Sequence, residues 1–314
     1  MNLKNIAIIT GGPGEEREIS LLSAKSVIQA LSPKEYNLKI YDLPRDLDSL
    51  FQSAKNKEID LAIPIIHGDW GEDGLIPAFL ELLKIKYLFS NCLTSALTID
   101  KAKTKKILIS ENIKMATGIL LNKKEDLKLE DINSWGWPIV IKPNSSGSSV
   151  GISIVKNETE LDEALIKAFT VGDKVLIEKF IKGRELTVVV TDYQEEIIAL
   201  PVIEIIPKVS DWFDYKAKYV VGGSDEICPA NMSDADAKKI QSQAIKIFEI
   251  LDCRDLARID FIWNEVDQEF VFLEINTVPG LTETSLTPKA LRVAGLSLQD
   301  FFVKLIDKYL CIKT

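Results

Sequence analysis

The 314-residue chain is 46% hydrophobic and 27% charged, the balance of an ordinary globular protein, and its length suits two or three packed units better than a single core. A formal net charge of −9 leaves no basic surplus for a nucleic-acid backbone, so any phosphate must be met by a few placed lysines. No apolar stretch reaches the roughly 18 residues of a membrane helix, and the N-terminus lacks a signal-peptide core, which predicts a cytoplasmic protein with neither nucleic-acid nor membrane partners.

In chain order, residues 6–10 read as a buried strand, followed by a Gly-Gly turn and a helix over 20–31. Residues 37–41 and 61–66 read as further strands and 75–83 as a helix, which together predict an open, mostly parallel α/β sheet. From about Ile99 the pattern changes. A Lys-rich helix (101–112), a strand (138–142), a Gly/Ser loop (144–149), a strand (150–155), a helix (158–168) and a strand (174–178) make a small α+β unit ending near Lys182-Gly183. Beyond it, β-branched strands over 186–191 and 197–206 alternate with an amphipathic helix over 234–251. Residues 210–231 read as a long polar and aromatic loop, and loops of that length are usually functional or disordered. The predicted units are 1–98, 99–182 and 183–314. Cys92, Cys228, Cys253 and Cys311 form no metal-ligand or CxxC spacing and read as buried free thiols.

The most informative residues are Asp260, Glu274 and Asn276. Side chains two apart on a strand share a face, so Glu274 and Asn276 project together, and a turn through 264–269 brings Asp260 back beside them. Three oxygen-bearing side chains at one point predict a hard-cation site, and their small number suits Mg²⁺ completing its shell with phosphate and water. The alternative is a solvated acidic hairpin face. Arg258, two residues before Asp260, falls on the same side and suits the stabilisation of developing oxyanion charge, or a salt bridge to one of the carboxylates.

Four further segments carry chemistry. Lys142 ends an apolar strand just before Ser145-Ser146-Gly147-Ser148-Ser149, a loop of small residues able to bend over a triphosphate, or else a plain surface hairpin. Residues 11–18 occupy the turn where a dinucleotide fold carries its pyrophosphate, but three glutamates there would repel phosphate. A glutamate there could instead receive an ammonium group, or simply complement a helix N-terminus. His67 follows a strand in a glycine- and charge-rich segment that could be a plain capped loop, and it reads as a ligand-side residue or else a core one; as the only histidine it excludes any mechanism needing two. After Asn276, Gly280 lies in a tight loop that could present its N–H to a reacting centre.

With these pieces in order, the chain resembles the D-alanine–D-alanine ligase family of the ATP-grasp superfamily over essentially its full length. The matching segments are GGPGEEREIS (11–20), HGDWGEDG (67–74), IDK (99–101), IKPNSSGSSVG (141–151), EKFIKGRE (178–185), FDYKAKY (213–219), CPA (228–230), ARIDF (257–261) and LEINTVPGLTETSLTP (273–288). The resemblance implies α/β and α+β architecture, an ATP-grasp fold with an N-terminal Rossmann-like (preATP-grasp) α/β domain.

The resemblance also implies roles. Lys101 and Lys142 would hold ATP phosphates under a loop that includes Ser149. Glu178 with the Lys179-Phe180-Ile181 hinge would hold the adenine, and Glu185 the ribose. Asp260, Glu274 and Asn276 would hold two Mg²⁺ ions, with Mn²⁺ able to replace them. Glu16 would bind the ammonium of the first D-alanine in a triad with Ser148 and Tyr219, with His67 nearby as a substrate-side residue. Lys218, Ser285 and the Leu286 backbone would receive the second D-alanine's carboxylate, and Arg258 and the Gly280 N–H would form the oxyanion site. The implied activity is ATP-dependent joining of two D-alanines through an acyl phosphate, for peptidoglycan synthesis and so cell shape, by a homodimer with a mobile loop at 210–231. The rivals are a ligase taking D-lactate or D-serine second, which Tyr219 disfavours, and a nucleotide-binding homologue that makes no bond, which the intact Lys142, Arg258, Asp260, Glu274 and Asn276 disfavour. Two departures touch the N-terminal part: Gly14 where a serine is usual, and Phe89-Ser90-Asn91-Cys92 where a Gly-Ser-Gly often stands.

Overall fold

The computed structural model describes residues 3–31, 35–147, 150–194, 196–208 and 222–310. Three sheets organise them. In the first, β1 (Lys4–Gly11) lies between β2 (Tyr36–Leu43) and β3 (Leu61–Pro64), all parallel, with Ile8 paired to Ile40 on one side and Ile63 on the other. A central strand covered on both faces must be apolar along most of its length, and β1 is buried from Ile6 to Gly11. Helix α1 (Arg17–Ala30) buries Ser20, Ser23, Ala24 and Val27, the i, i+3, i+4, i+7 set of one helix face. Helices α2 (Leu47–Lys55), α3 (Leu75–Leu82) and α4 (Cys92–Ile99) follow, of which α2 and α4 were not read from the sequence.

Asp100 ends α4 and caps α5 (Lys101–Ser110), its carboxylate accepting the Lys103 N–H. That sharp break puts Lys101 at the first helical position. The second sheet is antiparallel, ordered β4 (Gly118–Leu121), β7 (Val175–Lys179), β5 (Ile139–Pro143), β6 (Ser153–Val155), with the short α6 (Leu129–Asn133) and α7 (Leu161–Val171) beside it. The strand expected over 150–155 begins only at Ser153, because Gly151 turns the chain at φ +75°.

Four residues, 180–183, lead from β7 into the third sheet. There β8 (Arg184–Thr191) lies between β10 (Ile203–Pro207) and β12 (Leu256–Asn264). The short β9 (Ile198–Ala199) pairs with the end of β8, β11 (Ser224–Ile227) extends one edge, and β13 (Glu269–Asn276) extends the other. The run expected as one strand over 197–206 is two, since the chain departs from the ladder at Leu200-Pro201. Within the expected 210–231 loop, residues 224–227 pair with β10 instead, while residues 209–221 lie outside the described residues. Helix α8 (Asp234–Ile250), capped by Ser233, covers this sheet. Helices α9 (Leu286–Val293) and α10 (Leu298–Leu310) close the chain.

The cores do not follow chain order. Ile6, Ile8, Val27 and Leu31 share one cluster with Leu281, Phe301, Phe302 and Leu305, so the first sheet is completed by the C-terminal helices. Leu108 and Ile113 pack into the core of the third sheet with Phe248 and Phe261. The α5 helix is thereby anchored to the third sheet while its N-terminus faces the second. Cys92 and Cys228 are half-buried rather than buried, Cys253 is buried, all three are free, and Cys311 lies outside the described residues.

Candidate active site

The β12/β13 hairpin pairs Asp260 directly with Glu274 and Arg258 with Asn276, and a bulge follows Asp260. Arg258 donates from Nε to Asp260 Oδ1 at 2.9 Å and from Nη2 to Oδ2 at 2.8 Å, and Thr187 on β8 donates to Oδ1 at 2.5 Å. Burial opposes the Arg258 charge, but Asp260 beside it outweighs that and holds the guanidinium above its ordinary range. Glu274 faces Lys101, with Nζ 3.4 Å from Oε2. Asn276 accepts the Val278 N–H at 2.9 Å. Two carboxylates and an amide oxygen meeting on one hairpin fit a hard divalent cation that also takes phosphate oxygens.

Opposite this hairpin lies a buried group of lysines. Lys101 donates to the Ser146 carbonyl at 2.7 Å. Lys142 is 2.6 Å from Glu178 Oε2, and Lys105 pairs with the other oxygen of the same carboxylate. Burial, with Lys101 adding to it, presses Lys142 down to about 8, and burial also presses Lys105 well below the usual lysine range. Glu178 beside them and Glu274 at longer range are the negative charges that oppose this. Lys105 was not singled out in the sequence. Its signal was the i, i+4 spacing from Lys101 on one helix, which places both side chains on one face. Asn144 ties the Ser/Gly loop to α5, donating to Asp100 at 2.8 Å and accepting the Ala102 N–H at 2.9 Å. Lys179 ends β7, Phe180 and Ile181 are half-buried in the connection to the third sheet, and Glu185 lies near the start of β8.

The third wall comes from the first sheet. A Cβ on Gly68 would come within 2.9 Å of Glu16 Oε2, and one on Gly147 within 2.6 Å, so the Glu16 carboxylate sits in a notch made by two glycines, one in the segment after β3 and one in the loop after β5. The turn before α1 is held by Arg17, which binds both oxygens of Asp42 (2.7 and 2.8 Å) and the Leu43 carbonyl at 2.7 Å. A Cβ on Gly14 would already lie 3.3 Å from Asp69, so a longer side chain there is crowded by Asp69. Glu72 is buried and accepts the Gly68 N–H at 2.7 Å; burial, with Glu16 adding to it, pushes its carboxyl up to about 8. His67 is buried as well, with Nδ1 2.7 Å from the Val278 carbonyl and Nε2 2.9 Å from Ser23 Oγ. A carbonyl only accepts, so Nδ1 carries the hydrogen and Nε2 accepts from Ser23; burial lowers the pKa of this ring.

The second departure has a local explanation. Phe89 stands at φ +75°, a conformation glycine adopts freely. Its backbone N–H donates to Asp255 Oδ2 at 2.7 Å, its carbonyl accepts from Arg254 Nε at 2.5 Å, and its ring packs edge-on against Phe302. Fully buried Asp255 also accepts from Tyr309 at 2.8 Å and pairs with Lys308 at 3.1 Å.

These walls enclose a cleft of about 520 Å³ where Glu16, His67, Lys101, Arg258, Glu274 and Gly280 meet. Ser285 and Leu286 line its end at the start of α9, and Ser285 Oγ lies 2.7 Å from Thr282 Oγ1. Lys142 and Glu178 are buried on β5 and β7 of the second sheet and do not line it. Ser148, Ser149, Lys218 and Tyr219 lie outside the described residues.

A family model described as the D-ala D-ala ligase C-terminus matches residues 102–307. The chain belongs to the D-alanine–D-alanine ligase family. It is 39% identical to the D-alanine–D-alanine ligase of Pelotomaculum thermopropionicum, covering 98% of this chain and 96% of that one. It is 40% identical to the ligase of Syntrophobacter fumaroxidans, covering 96% of each. Among solved structures, the Bacillus anthracis ligase complexed with ATP superposes with a TM-score of 0.84 at 30% identity, over 98% of both chains. A D-Ala:D-Ser ligase from Enterococcus faecalis also gives 0.84, at 29% identity, over 98% of this chain and 100% of that one. The architecture is accordingly ATP-grasp, with the parallel α/β sheet at its N-terminus, and the family is one of ligase enzymes. Among the described residues no helix is long and apolar enough to cross a membrane.

Proposed function

We infer that this ligase joins two D-alanines to D-alanyl-D-alanine with hydrolysis of ATP to ADP and phosphate. The observation that carries the reading is the notch holding Glu16. It sets an ammonium-binding carboxylate against Gly147 of the phosphate loop, so an amino acid bound through its ammonium has its carboxylate directed toward the nucleotide's phosphates.

Amide formation from a carboxylate needs activation. The first D-alanine's carboxylate oxygen attacks the γ-phosphorus, the bond to the bridging oxygen breaks, and ADP leaves. The second D-alanine's amine then attacks the acyl carbon, loses a proton, and phosphate departs as the C–O bond breaks. Lys101 and Lys142 bind phosphate oxygens, Glu178 with residues 179–181 holds the adenine, and Glu185 the ribose. Arg258 and the Gly280 N–H face the oxygen that becomes negative in the tetrahedral intermediate. Ser285 and the Leu286 N–H at the start of α9 receive the second carboxylate, where the helix terminus favours an anion. Ser148, Ser149, Lys218 and Tyr219 keep their assigned roles in this reading. Asp260, Glu274 and Asn276 would hold two Mg²⁺ ions, which would supply charge neutralisation on the phosphates. The lobes are 1–98, 99–182 and 183–314, the assembly a homodimer, and the setting the cytoplasm, where the dipeptide feeds peptidoglycan synthesis.

The test is phosphate release and product analysis over paired D- and L-amino acids and D-hydroxy acids. D-alanine with D-alanine should be the preferred pair. Release without a joined product from any pair would leave only an ATPase or a binding protein.

A further inference from the structure

We propose that Ser23 and His67 are positioning residues for the oxyanion donor Gly280, holding the 278–281 turn at both ends through one directional hydrogen-bond relay. The proposal rests on Gly280 serving the tetrahedral intermediate. Leu281 donates its N–H to Ser23 Oγ at 3.2 Å, Ser23 donates to His67 Nε2, and His67 Nδ1–H donates to the Val278 carbonyl. The relay starts and ends on the same turn, and the two residues it spans are Pro279 and Gly280.

Each step fixes the next. The Val278 carbonyl forces the hydrogen onto Nδ1, a neutral ring then leaves Nε2 as an acceptor, and that acceptor commits the Ser23 hydrogen. Ser23 Oγ is left with lone pairs for Leu281. The ring itself is fixed by its backbone, since the His67 N–H donates to Ser20 Oγ at 2.9 Å. From the other side, Asn276 takes the Val278 N–H. Three donors and acceptors thus pin Val278 and Leu281, while Gly280 stays at the cleft.

Plain core filling does not account for this. Ser23 is fully buried and His67 nearly so, a place where apolar side chains of similar size would pack without needing partners. Their polar atoms are instead spent on a turn separated from Ser23 by more than 250 positions in sequence. The turn is also tight against the second-substrate end, since a Cβ on Gly280 would come within 2.8 Å of Ser285 Oγ. A shift of the turn therefore moves the oxyanion donor and the α9 terminus relative to each other.

The experiment measures dipeptide formed per ATP consumed. Activation of the first D-alanine does not pass through the tetrahedral intermediate, whereas amide formation does. Ser23→Ala should lower dipeptide turnover by about 10- to 100-fold, the usual effect of a small misplacement. ATP consumption should fall less, because the acyl phosphate is lost to water, and KM for ATP should stay at the wild-type value. His67→Asn retains a donor toward Val278 but offers Ser23 no acceptor at the Nε2 position, and should uncouple in the same way; it decides the matter if Ser23→Ala does not fold. A wild-type dipeptide-to-ATP ratio in a folded variant, whatever the overall rate, overturns the positioning role and leaves the ligase reading intact. A wild-type protein that makes no dipeptide would instead overturn the ligase reading.

Discussion

Asp260 faces Glu274 directly across the β12/β13 hairpin, and each carboxylate already has a cation of its own, Arg258 on the first and Lys101 on the second. The charge on the hairpin is thus matched before any ligand arrives. In the proposed reading, a divalent ion held there would take over part of this pairing and leave Arg258 and Lys101 available to phosphate and substrate oxygens.

Glu274→Gln removes one ligand charge from a pair that has only two. Turnover should fall more than about 100-fold, comparable to losing a main electrostatic contact, with little change in melting temperature because the residue is only partly buried. Asp260→Asn should also abolish turnover. It leaves a buried guanidinium without its carboxylate, a loss that typically costs about 3–5 kcal/mol. Rate measurements at saturating Mg²⁺ with parallel thermal melts check both, and near-wild-type activity in either would remove the hairpin from the site.

Glu178→Gln tests the lysine group. Lys105 and Lys142 would lose their shared counter-ion inside the protein, and stability should drop by about 3–5 kcal/mol. Inorganic triphosphate brings phosphate charge to Lys142 without using the adenine contact proposed for Glu178, so the rise in melting temperature on adding it should be larger in the variant than in the wild type. Equal shifts would mean that Glu178 does not hold the lysines in waiting.

Gly147→Ala should act on the substrate and spare the fold. Its Cβ would meet the mobile end of Glu16 rather than backbone, so the carboxylate must move while the loop stays. KM for D-alanine should rise about 10-fold, equivalent to roughly 1.4 kcal/mol, with an unchanged melting temperature. An unaltered KM would place the amino acid elsewhere in the cleft.

Glu72 gives a pH signature. Its carboxyl is raised from 4.5 to about 8 by burial and then by Glu16. A raised acid binds its proton more tightly when folded, so its contribution to stability is complete below about 4.5 and is lost as pH rises through about 8. Glu72→Gln keeps an oxygen for the Gly68 N–H and removes the titration. Urea midpoints of the wild type should fall between pH 5 and pH 9 more steeply than those of the variant, and parallel curves would show that Glu72 is already ionised at low pH.

The hairpin was legible because strand periodicity is local: two residues apart means one face, and a short turn fixes the partner. The same held for β1, whose apolar run could only be a buried strand. Lys105 was less legible because a lysine on a helix ordinarily points to water, and only the docking of α5 on the third sheet turns it inward. Ser23, within the helix read over 20–31, carried no signal of its own, since its partners His67 and Leu281 are brought to it only by the fold. Pro201 split a strand that composition alone presented as continuous. Phe89 read as a departure from a glycine pattern, and the Arg254 and Asp255 contacts that hold its backbone come from 165 and 166 residues away.

The core shared by the first sheet and the last two helices bears on how the chain matures. Ile6 and Ile8 are made long before Phe301, Phe302 and Leu305, which cover them. The second sheet, with its own core of Ile139, Ile141, Leu165 and Ile177, closes within a short span of chain. Long-range closure is slow and leaves apolar surface open meanwhile. The first sheet therefore stays uncovered until α10 has been made, and truncation before α10 should produce an aggregating polypeptide rather than a smaller working one.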